Sequence, residues 1–69
     1  MNDAIRLVAI QAVVDMGKDR DNIASAQVEY PRFTSAVSAH FDVVVTMKDE
    51  SYYTVTVAAR VNYSHFVAL

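Results

Sequence analysis

From Val37 onward the chain alternates. Val37, Ala39, Phe41, Val43, Val45 and Met47 occupy odd positions, with Ser38, His40, Asp42, Val44, Thr46 and Lys48 between them. Tyr53, Val55, Val57, Ala59, Val61 and Tyr63 repeat the pattern, separated by Tyr52, Thr54, Thr56, Ala58, Arg60 and Asn62. A period of two is that of a half-buried strand, and β-branched side chains suit its pleated surface. Asp49-Glu50-Ser51 divides the runs, so the pattern predicts a long β-hairpin.

Its register is constrained. Paired residues share a face, so the numbers of two odd-numbered partners must sum to an even value. A two-residue turn at Asp49-Glu50 would set Val45 against Thr54, and it lacks the Gly or Asn that such turns prefer. A three-residue loop at 49–51 gives a sum of 100. It pairs Val45 with Val55, Val43 with Val57 and Phe41 with Ala59, and on the outer face Thr46 with Thr54 and His40 with Arg60. A five-residue loop keeps the parity and shifts the partners.

Residues 3–16 read as a helix. Asn2 or Asp3 serves as N-cap, and Gly17 ends it in the left-handed conformation. Ile5, Val8, Ala9, Ala12, Val13 and Met16 fall on one face at 100° per residue, the ordinary core stripe. Leu7, Ile10 and Val14 form a second apolar line. It is covered either by the C-terminal tail or, as favoured here, by a second subunit. The mixed charges of residues 18–22 read as a solvated connector. Ala24, Ala26, Val28 and Tyr30 then alternate with Ser25, Gln27 and Glu29, a third strand closed by Pro31. A short helix starting at Asp21 is the competing reading. Residues 64–69 are apolar without a clear period.

The predicted fold is therefore a single α+β domain over residues 1–69. One N-terminal helix packs on a three-stranded antiparallel sheet ending in a long C-terminal hairpin (α-β-β-β). Strands of about twelve residues span roughly 40 Å, and a fourteen-residue helix roughly 21 Å. One helix cannot cover such a hairpin, so the uncovered end should carry some of Val37, Ala39, Val61 and Tyr63, or Met47 and Tyr53.

Composition narrows the function more than it defines it. Of 69 residues, 54% are hydrophobic, which excludes a disordered chain. Twelve Val and ten Ala against two Leu agree with a sheet-rich fold. There is no Cys, so disulfides, thiolate metal sites and thiol catalysis are out. No leader or membrane-spanning run is legible, and the expected location is cytoplasmic. A domain of this size buries only roughly 60% of its unfolded surface, which makes association the expected remedy.

Candidate chemistry is sparse. His40, Asp42 and Arg60 fall together on the outer sheet face. A His beside a carboxylate is an acid–base pair, but an open sheet face offers neither cleft nor nucleophile. A polar surface cluster is the expected role, with no catalytic, cofactor or metal site; His40 and His65 lack the further ligands a metal needs. The only Gly follows a helix, so no phosphate cradle is built. The order helix, three strands parallels the start of the double-stranded-RNA-binding fold. The net charge of −2 and the scattered four Arg and two Lys speak against nucleic acid.

The function expected is that of a small non-catalytic interaction or assembly protein. It binds itself, as a homodimer or higher oligomer, through Leu7, Ile10 and Val14, and engages another protein. Accessory proteins of phages and inhibitors of host complexes, anti-CRISPR proteins among them, share this profile. The alternative is a small-ligand carrier with an apolar pocket between subunits, where His65 or Tyr63 supplies the polar group.

Overall fold

The computed structural model describes residues 3–62 and 65–69. It contains α1 (Asp3–Asp15), a 3₁₀ turn (Arg20–Asn22), β1 (Ile23–Val28), β2 (Arg32–Phe33), β3 (Ser38–Met47), β4 (Tyr52–Asn62) and β5 (His65–Ala68). The class is α+β, one helix over an antiparallel sheet. The sheet has five strands where three were expected: the order is β1-β3-β4-β5, and β2 also pairs with β3. The added strands are two and four residues long, too short for alternation to be read in sequence.

Helix α1 buries Ile5, Ala9 and Val13 completely. Val8 and Met16, expected in the core stripe, are 41% and 59% exposed, while Ile10 and Val14 are half-buried. The buried face is thus turned toward the second apolar line. Gly17 ends the helix as expected, at φ 95°. The Lys18 N–H donates to the Val13 carbonyl and the Gly17 N–H to the Val14 carbonyl, the pairing of a Schellman cap. The N-cap assigned to Asn2 lies outside the described residues, and Asp3 stands within the helix.

The hairpin parity holds, with a different sum. Val43 faces Val55, Phe41 faces Val57 and Val45 faces Tyr53, so partners sum to 98 instead of 100. The loop is Lys48-Asp49-Glu50, closed by the Met47 N–H on the Ser51 carbonyl at 2.8 Å. Both sums keep odd with odd, so the apolar pattern cannot choose between them. Loop chemistry does. The Asp49 carboxylate accepts from the Ser51 N–H and hydroxyl, an Asx turn that returns Ser51 to the ladder. Glu50 takes the left-handed position at φ 72°, a conformation costing a non-glycine roughly 1–2 kcal/mol.

Strand β1 confirms extended structure, with only the 3₁₀ turn Arg20–Asn22 before it. Its ends differ from expectation. The register slips between Ile23 and Ser25, which turns Ile23 inward and leaves Ala24 exposed. The strand stops at Val28, and Tyr30 is 93% exposed beside Pro31.

The core lies between α1 and the odd-numbered face of the sheet, where Ala39, Phe41, Val43, Val45, Met47, Val57 and Ala59 are buried. Val43→Asp places an unpaired charge at a fully buried position, a cost of several kcal/mol that a small domain does not survive. Gln27→Asp, exposed on β1, should cost less than about 1 kcal/mol. Urea denaturation of the two variants checks which face is inside.

A second prediction concerns Asp49. The Ser51 hydroxyl and N–H hold its carboxyl below the ordinary carboxylate range. A depressed folded-state value contributes stability above the unfolded pKa, near 3.9, and loses it as pH falls through the lower folded value. Asp49→Ala should therefore be less stable than wild type at pH 7, with the gap closing as pH falls through the lowered folded-state value. Melting curves taken from neutral pH down into the acid range measure this.

Candidate functional site

The strand ladder decides which polar residues meet. On the outer face Asp42 lies opposite Thr56, and His40 opposite Ala58 on one side and Arg32 on the other. Arg60 pairs with Ser38, not with His40 as the sum of 100 required. The two-residue change in register moved it. The cluster that forms is centred on Asp42, whose Oδ1 accepts from Thr56 Oγ1 at 2.8 Å and from Arg32 Nη2 at 3.1 Å. Both groups bind one carboxylate oxygen across three strands. Arg32 was missed because nothing in sequence places the short β2 beside β3. Thr56 was missed because its partner depends on the sum.

This arrangement is a surface ion pair with a hydrogen bond. The Arg32 side chain is 61% exposed, the Asp42 side chain 30%, and His40 is exposed without a partner among the described residues. No buried polar side chain is present among the described residues, so none is aimed at a reacting group. No group of three or more metal-ligating side chains stands together among them.

An open groove of about 630 Å³ lies where the end of α1 meets the β3–β4 loop. Lys18, Lys48, Asp19 and Asp49 line it, and the Lys18 ammonium sits 5.5 Å from the Tyr53 ring centroid. Its two cations and two carboxylates balance, so it selects no ligand charge. Of the residues expected to serve a carrier pocket, Tyr63 lies outside the described residues, as does the side chain of His65.

Apolar surface is the more distinctive feature. Of the line on α1, Leu7 is 58% exposed, Val14 is half-buried, and half-buried Ile10 packs on the core. At the sheet end far from the hairpin loop, Phe33 and Val37 are 59% and 54% exposed. Phe33 faces Ala39 on the inner surface, and the Val61 N–H reaches the Val37 carbonyl at 2.7 Å. Phe66 from β5 closes part of this end, edge-on to Phe41 at 4.9 Å and 6.0 Å from Phe33. The opposite end is closed, with Met47 buried and Tyr53 half-buried. No helix among the described residues is long and apolar enough to cross a membrane.

Compared with protein-family models, curated proteins and solved structures, the chain matches none. What can be said of its function rests on these surfaces. For the polar cluster, a double-mutant cycle with Arg32→Ala and Asp42→Ala should give a coupling of about 0.2–1 kcal/mol that shrinks as salt rises. Denaturation at low and high ionic strength reads this.

Proposed function

We propose that this chain is a small non-catalytic interaction protein that self-associates and binds a further protein. The observation that carries the reading is the uncovered inner-face end of the sheet. There Phe33 and Val37 stay in solvent although they belong to the face that elsewhere forms the core. Apolar side chains grouped in this way mark contact surfaces, whereas single exposed ones need no explanation. Leu7 on α1 adds a second exposed apolar position. The open polar cluster and charge-balanced groove support a binding role over chemistry. An accessory protein or inhibitor of the phage type, which works by occupying a surface of a larger complex, fits this description.

The test is affinity capture from a lysate of the organism that encodes the protein. Wild type should retain a defined partner, and a folded Phe33→Asp variant should lose it. Identical captured sets with both proteins would contradict the reading.

A further inference from the structure

The sheet has two edges, and they are built differently. The β1–β2 edge carries devices that discourage pairing: the slip between Ile23 and Ser25, then Glu29, Pro31 and Arg32. The β4 edge from Tyr52 to Thr56 carries no charge, no proline and no irregularity in its pairing with β3. Strand β5 covers only Ala59–Asn62, and the Leu69 N–H reaches the Ala58 carbonyl at 3.0 Å. Among the described residues no strand pairs with this edge before Ala58.

The ladder fixes which backbone groups are open. Bonds from Met47 to Ser51 and from Val61 to Val37 turn the odd residues of β4 toward β3. The bond from Leu69 to Ala58 turns the even residues the other way. Tyr52, Thr54 and Thr56 therefore present their N–H and C=O groups outward. About a two-fold axis these three positions complement themselves: Thr54 faces Thr54 of a second copy, and Tyr52 faces its Thr56. About six backbone hydrogen bonds result. The same register sets half-buried Tyr53 beside the half-buried Val55 of the other copy on the inner face. Helix α1 lies over β3 and β4. Two strand spacings then put the paired helices roughly 10 Å apart, an ordinary helix–helix distance.

We propose that the protein dimerises by joining the β4 edges of two copies into one continuous sheet with both helices on one face. This rests on the self-associating part of the function proposed above, and it assigns that role to a surface other than the Leu7–Ile10–Val14 line.

Position 54 faces itself in this dimer, which makes the test specific. Sedimentation velocity is run on wild type, Thr54→Lys, Thr54→Glu and their equimolar mixture between about 1 and 100 μM, with Leu7→Glu as control. Thr54 is exposed on the outer face, so both variants should fold, which circular dichroism checks. Wild type should dimerise. Each Thr54 variant alone should weaken the dimer roughly tenfold or more, and the mixture should restore it. Thr54→Pro removes an N–H that points away from β3 and should also dissociate the dimer with the hairpin intact. A wild-type dimer that ignores the Thr54 variants, or that only Leu7→Glu dissolves, overturns this inference and leaves self-association standing. A wild type that is monomeric throughout overturns both.

Discussion

One inequality governs this molecule: the inner face of the β3–β4 hairpin is longer than the single helix available to cover it. The helix of thirteen residues spans roughly 20 Å, and the molecule is 38 Å in its longest dimension. Ile5, Ala9 and Val13 bury the middle of that face together with its loop end. The far end must be closed by other means. Phe66 from β5 and Phe33 from β2 reach in over the small Ala39–Ala59 pair. Phe66 ends half-buried, while Phe33 and Val37 stay largely in solvent. Burying a side chain of that size contributes roughly 1.5–3 kcal/mol, a large share of the stability of a 69-residue domain. A partner at this end has much to gain.

The polar outer face follows from the same ladder. Residues two apart on β3 and their partners on β4 and β2 form a mesh in which one carboxylate, Asp42, receives Thr56 and Arg32. The mesh ties the short β2 to the hairpin and leaves no enclosed volume. Chemistry that needs exclusion of water has no place there. The groove at the hairpin loop is open and charge-balanced, and its Asp49 is engaged in shaping the loop.

Much of the fold was legible because period and propensity agreed. Two runs of odd-numbered apolar residues, rich in Val, define the hairpin and its buried face, and Gly17 marks the helix end. What escaped was decided by single hydrogen bonds or by very short elements. Parity left the sum open, and the Asp49–Ser51 turn chose 98 over 100, which took Arg60 away from His40. In β5 the alternation is present, with Phe66 and Ala68 half-buried and Val67 and Leu69 exposed, but four residues are too few to announce it. For the second helix line the sequence favours a second subunit over the C-terminal tail; in the fold Ile10 packs on the core, to which the tail's strand adds Phe66 and Ala68, while Leu7 stays exposed.

Amide hydrogen exchange along β4 tests the central claim, a hairpin held by its odd residues whose even residues form an unguarded edge. In dilute solution the N–H groups of Tyr53, Val55 and Val57 should be strongly protected, and those of Tyr52, Thr54 and Thr56 should exchange freely. Raising the protein concentration should slow the even positions alone. Uniform protection at every concentration, or fast exchange at the odd positions, would contradict the register and the open edge together.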